Sequence, residues 1–592
     1  ALTIMPDLAA VHSNLGNALI ALGRLDDALE NFRKAYALNP DSAEVLNNLG
    51  IGLEKLGKID EAAECYHKAL CIQSGNAEAH YNFGDACRRL GRRDEAAASF
   101  HKAIALNPTY ADAHNGLGLM CKTSGELDEA ILHYHEALAV NPEHVEAHNN
   151  LGNALREQRK LGEAIACYRQ AQTIKPDFAE AHYNLGTVFK ELGRPDDSVS
   201  CYRQALTLKP DFFPAHCNLV FTLMYCPNVT GKTILDEARR WDQQHGYRGE
   251  IPRHRNFPDP ERPLRIGYVS ADFKEHAAGY LLEPLLAGHD HKSVTLICYG
   301  EVSRPDSVTK RFQDYADLWR STVGLSDAEL ADLIREDGID IIIECTGHSA
   351  NNRLLALTRK PAPIMVNYFS MHGSTSGLAA MDYVLSDPVL TPPGFEDQFS
   401  EEVVLLPHGA VTFRPDPEWP AVAPRRATRD GPLFACVGDP ARISADTIDL
   451  WARLLERVPG SRILFKNPRY SDDQARAVWR RAFGALGAGA LFEGVDGGWK
   501  QNMDVYGRVD VVLDTLPISG ALSCLIPLWM GVPVLTMVGP NNTHRFGSAM
   551  VTHAGMAEFS ADNPEEYLNI ASDQVNDPER LAALRRTMRD TI

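Results

Sequence analysis

The sequence predicts an α-solenoid followed by an α/β region of two Rossmann-like lobes, and three observations predict it. Residues 1–219 repeat themselves every 34 residues. From Leu264 onward, apolar runs of strand length alternate with helical stretches, the pattern of a parallel, doubly wound sheet. A Pro- and Arg-rich stretch from Pro415 to Pro432 interrupts that alternation, which then begins again. The boundaries read as repeats over 1–219, a linker or transition over 220–262, a first lobe over 263–422 and a second over 428–592. With 592 residues, 44% of them hydrophobic and 23% charged, the chain has the composition of a folded protein with several cores, which excludes disorder throughout, collagen and low-complexity polymer.

The repeat columns justify the first element. Gly16, Gly50, Gly84, Gly118, Gly152 and Gly186 are each 34 residues apart, as are Ala35, Ala69, Ala103, Ala137, Ala171 and Ala205. An aromatic residue keeps the same phase at Phe32, Tyr66, Phe100, Tyr134, Tyr168 and Tyr202. Gly23, Gly57, Gly91, Gly125 and Gly193 punctuate two helical patterns, with Arg159 as the exception, and Pro40, Pro108, Pro142, Pro176 and Pro210 close the units. Small residues let paired helices approach, the aromatic fills the gap between them and Pro ends the second helix. This helix-turn-helix period resembles the tetratricopeptide repeat. Six repeats run to Lys209 and a seventh begins at Pro210 and fades; stacking them makes a superhelix with a concave groove.

A further column holds Asn14, Asn48, Asn82, Asn150, Asn184 and Asn218, with Gly116 breaking the series. Asn is a mediocre helix former, so the helix itself does not ask for it. Its amide offers donors and an acceptor, which suits gripping an extended peptide backbone. Period alone does not separate that reading from a harmless exposed Asn copied by duplication.

Charge narrows the partners. Lys plus Arg number 59 and Asp plus Glu 78, a net charge of −19. Nucleic acid and anionic membrane surfaces demand clustered cations, so neither is expected as a partner. No apolar run reaches the ~18 residues of a membrane span. The twelve cysteines include no Cys-x-x-Cys pair and no zinc spacing. They read as small buried hydrophobes of a reducing, cytoplasmic compartment. The N-terminus has no charged segment leading into an apolar core, so no signal peptide is expected. It starts without Met inside a repeat-like pattern, as a piece of something longer would.

In the α/β region, strands are expected at 264–269, 295–299, 340–344, 363–368 and 403–406 in the first lobe. The second lobe offers 432–437, 462–466, 509–513 and 532–536. Ligands of such folds sit at the carboxyl ends of the strands. No Gly-x-Gly-x-x-Gly follows a strand and no Walker A sequence occurs, which argues against nicotinamide, flavin and P-loop chemistry. No Asp-x-Asp lies on a loop, so a diphosphate would be met by cations and helix N-termini rather than through a metal.

The lobe motifs resemble glycosyltransferase family 41 over nearly the whole chain. Residues 265–273 (Arg-Ile-Gly-Tyr-Val-Ser-Ala-Asp-Phe) with His276 are similar to the family's opening strand and loop, and 344–352 (Glu-Cys-Thr-Gly-His-Ser-Ala-Asn-Asn) resemble its SPINDLY branch. Arg359 to Pro363, Ser374 to Gly377, Leu450-Trp451-Ala452, Leu513-Asp514-Thr515 and Met530 to Pro533 are family-like as well. The resemblance implies two lobes of GT-B type and transfer of a sugar from a nucleotide sugar to Ser or Thr of proteins, inverting and without a metal or other cofactor. It implies UDP-N-acetylglucosamine or GDP-fucose as co-substrate, and acceptor proteins held along the repeat groove by the Asn column. His276 falls on the family's active-site histidine and His348 on one lining the cleft. The family's diphosphate lysine is replaced by Arg442, within Asp439-Pro440-Ala441-Arg442, where Asp439 puts an anion in place of an amide. Lys466 and Arg545 match family cations, and Lys500 is one position out of register. The nucleotide-clamping turn is represented by Ser519, Gly520 and Ser523, but with Leu522 and Ile526 where the family has polar or acidic groups. The family's final helix is expected beyond Ile592. Two readings stand at this point: an active transferase with an altered donor site, or a degenerate one that serves as a peptide-binding scaffold.

Overall fold

The computed structural model describes residues 8–257, 259, 261–368, 373–415, 419–423, 431–471, 473–495 and 499–592. The chain forms two compact units, Ala1–Val188 and Phe189–Ile592.

The first unit consists of antiparallel helix pairs: Ala9–Ala21 with Leu25–Leu38, Ala43–Lys55 with Ile59–Ile72, Ala77–Arg89 with Arg93–Leu106, Ala111–Ser124 with Leu127–Val140, and Val145–Glu157 with Leu161–Ile174. The glycine column is explained by contact. A Cβ on Gly16, Gly50, Gly118 or Gly152 would stand 2.5–2.6 Å from the ring of Phe32, Tyr66, Tyr134 or Tyr168, so only hydrogen leaves room for the aromatic. Those rings and the alanine column are fully buried. The turn residue of each pair is left-handed, with φ between 72° and 86° at Gly23, Gly57, Gly91 and Gly125. Arg159 adopts the same conformation at φ 64° without glycine's freedom.

The second unit begins with the helices Pro195–Leu208, Phe213–Leu223 and Gly231–His245. The last lies inside the stretch expected as a linker. Thr230 caps it, and Ile234, Leu235, Ala238 and Trp241 bury one face; the charged residues between them had masked the period.

Seven parallel strands then form the first sheet: β1 (Leu264–Ser270), β2 (Val294–Gly300), β3 (Leu318–Ser321), β4 (Ile341–Glu344), β5 (Ile364–Tyr368), β6 (Tyr383–Ser386) and β7 (Glu402–Leu405), in the order β3-β2-β1-β4-β5-β6-β7. Six parallel strands form the second: β8 (Leu433–Cys436), β9 (Arg462–Lys466), β10 (Ala490–Glu493), β11 (Val511–Leu513), β12 (Val534–Met537) and β13 (Ser560–Ala561), in the order β10-β9-β8-β11-β12-β13. The central strand β8 is buried on both faces, as a sheet covered by helices requires. Four strands went unanticipated. β3, β10 and β13 are edge strands carrying polar or helix-favouring residues, and the four-residue β6 offers an apolar run of only three residues.

Candidate functional site

In each sheet the strand order reverses beside one pair, β1/β4 in the first and β8/β11 in the second, and loops leaving these pairs diverge to leave a crevice. A cavity of about 200 Å³ lies where the two crevices face each other. From the first lobe it is lined by Ala277, Ala278, Leu281 and Leu282 after β1, Cys345 after β4 and Tyr368 at the end of β5. From the second it is lined by Val437, Gly438, Asp439 and Arg442 after β8, and by Gly520 to Ser523 after β11.

Arg442 is the cation of this cavity. Its Nη1 donates to the Ser519 carbonyl at 3.1 Å, which fixes the guanidinium plane. Its Nε is buried and, among the described residues, has no hydrogen-bond partner. A buried cationic donor without an acceptor is costly unless a ligand supplies one. Beside it, Gly520 begins the helix Ala521–Trp529 without a side-chain cap. The N–H groups of that first turn have no intrahelical acceptor, and the positive end of the helix faces the cavity. A Cβ on Gly520 would come within 2.6 Å of Arg442 Nη1 and of Ser523 Oγ, so this glycine is required for the cation and the helix end to meet. Ser523 Oγ donates back to the Gly520 carbonyl at 2.8 Å, and Ser519 Oγ lies 3.4 Å from Cys524 Sγ.

Asp439 does not present a bare anion to the cavity. Its Oδ1 accepts from Ala441 N at 3.0 Å and faces Arg469 Nε at 3.0 Å, and Arg469 Nη2 donates to Oδ2 at 3.3 Å. Arg469, in the turn that follows β9, is a functional neighbour that sequence reasoning missed; its signal was a lone basic residue after Asn467-Pro468. The compensating charge meets the objection that an anion there would repel a diphosphate.

His276 caps the helix Ala277–Ala287, its Nδ1 lying 3.3 Å from Ala278 N and 3.3 Å from Asp272 Oδ1. No described residue engages its Nε2. Burial raises the Asp272 carboxyl above its ordinary value, opposed by the His276 charge.

Other expected residues lie elsewhere. His348 does not line the cavity. It is buried with Nε2 donating to the Ser376 carbonyl at 2.8 Å and its ring edge-on to Trp241, and burial lowers its pKa to about 4. The Ser376 carbonyl and the Trp241 ring hold it there. Lys466 is also outside the lining: its Nζ lies 3.2 Å from Asp504 and 3.9 Å from Glu493, carboxylates it shares with Arg508. Arg545 reaches from the second lobe to the first, donating to the Val389 carbonyl at 2.8 Å and covering the Phe395 ring. The side chain of Lys500 is outside the described residues.

In the first unit, the Asn column turns its amide donors toward the preceding repeat. Asn48 donates to Ser13 Oγ at 2.9 Å, Asn82 to Asn47 Oδ1 at 3.1 Å, Asn150 to Asn115 Oδ1 at 3.0 Å and Asn184 to Asn149 Oδ1 at 2.8 Å. One amide N–H of each is therefore spent on stacking, while no described residue engages the Oδ1 atoms of these four. Asn14 is exposed, and Asn218 is half-buried in the second unit.

The family model described as glycosyl transferase family 41 matches residues 250–413 and 432–591, and tetratricopeptide-repeat models match 7–73 and 179–212. The Arabidopsis thaliana protein named probable UDP-N-acetylglucosamine–peptide N-acetylglucosaminyltransferase SPINDLY is 33% identical over 351 residues, 57% of this chain and 38% of that one. The Caenorhabditis elegans UDP-N-acetylglucosamine–peptide N-acetylglucosaminyltransferase is 33% identical over 186 residues, 30% of this chain and 14% of its own. The match to the SPINDLY relative thus spans well under half of that protein's length. A solved variant of Thermobaculum terrenum O-GlcNAc transferase superposes with a TM-score of 0.74 at 32% identity, covering 81% of this chain and 92% of that one.

Proposed function

The chain belongs to glycosyl transferase family 41, and from that premise we propose that it transfers a sugar from a nucleotide sugar to Ser or Thr hydroxyls of proteins. The observation that carries this reading is Arg442, a half-buried cation whose buried Nε has no partner among the described residues, beside an uncapped helix N-terminus in a cavity at both topological switch points. That combination fits a diphosphate leaving group. As the bond from the anomeric carbon to the diphosphate oxygen breaks, negative charge collects on the diphosphate, and Arg442 with the N–H groups of the helix end stabilises it without a metal. The acceptor hydroxyl attacks the opposite face of the anomeric carbon, inverting it, and gives up its proton through His276 or a water that His276 positions. In this reading the Asn column holds acceptor backbone through its Oδ1 atoms.

The apolar lining by Leu281, Leu282 and Leu522 does not distinguish a uridine from a guanosine donor, so UDP-N-acetylglucosamine and GDP-fucose are both tested. Calorimetric titration of UDP, GDP and their sugars into the chain, followed by transfer of labelled sugar to protein acceptors, checks the proposal. Saturable binding of one nucleotide with turnover supports it. Peptide binding by the repeats with no nucleotide bound would establish the scaffold instead.

A further inference from the structure

We propose that the fourth repeat binds one divalent transition-metal ion of the Zn²⁺, Co²⁺ and Ni²⁺ class through His114 Nδ1, His133 Nδ1 and Glu136 Oε2. The three ligand atoms lie within 4.8 Å of one another. Glu136 Oε2 is 3.0 Å from His114 Nδ1 and 2.9 Å from His133 Nδ1. Ligands about 2.0–2.1 Å from a metal are about 2.9 Å apart along an octahedral edge and about 3.4 Å apart in a tetrahedron, so the two edges from Glu136 already have the spacing of a coordination sphere, and the third, within 4.8 Å, closes by small side-chain rotations as the ion enters. His133 and Glu136 stand one turn apart on the helix Leu127–Val140, and His114 faces them from the helix Ala111–Ser124. All three side chains are partly shielded rather than splayed into solvent. Two imidazoles and one carboxylate suit borderline first-row ions better than Ca²⁺ or Mg²⁺, which prefer all-oxygen sites.

The repeat columns show that this triad is not the background of the solenoid. The His114 position is histidine in most repeats: His12, Leu46, His80, His114, His148, His182 and His216. These histidines turn Nδ1 to different neighbours: His12 faces Asn31 on the second helix of its own repeat and His182 faces Gln172 on the second helix of the preceding one, each at 3.0 Å, and His114 is of the first kind. The other two ligands are departures confined to the fourth repeat. The His133 column otherwise reads Asn31, Cys65, Ser99, Cys167 and Cys201, and the Glu136 column reads Lys34, Lys68, Lys102, Gln170 and Gln204. The ordinary repeat puts Lys or Gln where the fourth puts a carboxylate, and both changes converge on the one histidine already aimed at them.

On binding, each imidazole coordinates as the neutral ring with its proton on Nε2, and the carboxylate as the anion. The ion ties the two helices of the repeat together, and water fills the remaining positions. This inference is independent of the glycosyl-transfer reading.

The test uses the full, untagged chain, stripped with a chelator and titrated with ZnCl₂ and CoCl₂. Calorimetry, elemental analysis after desalting and the visible Co²⁺ spectrum follow binding, and thermal melts follow stability. His133→Asn, Glu136→Lys and His114→Leu each install the residue that another repeat carries at that column, so the helix pair has precedent for folding with each. Their circular dichroism without metal checks that it does. One equivalent is expected to bind the parent chain and raise its Tm, and each variant is expected to lose at least ~100-fold in affinity, since even outer-shell partners are worth ~10–100-fold. The absence of stoichiometric binding to the parent would overturn the proposal. So would variants that fold and bind as tightly as the parent, because the ion would then sit among other histidines.

Discussion

In the proposed donor site Arg442 is the cation that meets the diphosphate, and its replacement can be worked through from the geometry. One of its N–H groups is committed to the Ser519 carbonyl at 3.1 Å, and its buried Nε has no partner among the described residues. Truncation to Ala removes a fixed cation from the point where charge grows as the glycosidic bond breaks. A preorganised donor of this kind is worth about 10²–10³ in turnover, about 3–4 kcal/mol. Because the diphosphate is already charged in the ground state, part of the loss falls on donor binding, of the order of tenfold, and the larger part on turnover. Arg442→Lys keeps the charge. One ammonium cannot both reach the Ser519 carbonyl in the guanidinium plane and offer a second fixed donor, so we expect it to lose about 10²-fold as well. Gly520→Ala leaves Arg442 intact but places a Cβ 2.6 Å from Nη1, and should fall between parent and Arg442→Ala. The assay is initial-rate transfer of labelled sugar to a protein acceptor, with donor affinity measured separately by calorimetry. The reasoning is refuted if Arg442→Lys retains parental turnover, or if Arg442→Ala weakens donor affinity as much as kcat/KM, which would make the contact uniform binding.

Three further outcomes are expected. Arg159→Gly relieves a left-handed backbone at φ 64° and should stabilise the repeats by about 1 kcal/mol in denaturant unfolding, with a fall in stability as the contrary result. His348 and His544 are buried with imidazoles pushed down from 6.5 to about 4, so the unfolded chain binds more protons between these values. Their contribution, on the order of 3 kcal/mol each, is fully present above pH 6.5 and is lost as pH falls toward 4; His348→Asn should flatten the stability-against-pH profile of the second unit, and an unchanged slope would show that His348 is already charged. Replacing Asn82, Asn150 and Asn184 together by Ala removes three hydrogen bonds between repeats, at about 1 kcal/mol each, and should lower the Tm as well as weaken acceptor-peptide binding; a Tm that stays put would mean the bonds contribute nothing to stacking.

The sequence by itself determined the elements whose signals are local or periodic. A glycine every 34 residues is legible because each repeat packs a ring against it with the same contact. The alternation of strand and helix placed the central strands because a strand covered on both faces reads as an apolar run, whereas the edge strands β3, β10 and β13 have no such constraint and were silent. Arg442, Gly520 and Ser523 were picked out by their resemblance to family motifs at a strand end and a helix start, and the structure brings them to one cavity. Tertiary structure alone decided pairings between residues far apart in the chain. Arg469 neutralises Asp439, Asp504 and Glu493 hold Lys466, His348 turns into the core beside Trp241, and the Asn column spends an amide donor on the repeat before it. Periodicity reports which face of its own element a side chain occupies. Which partner waits on that face depends on strand order and on the stacking of successive repeats, and the same residue types would read identically had those loops met elsewhere.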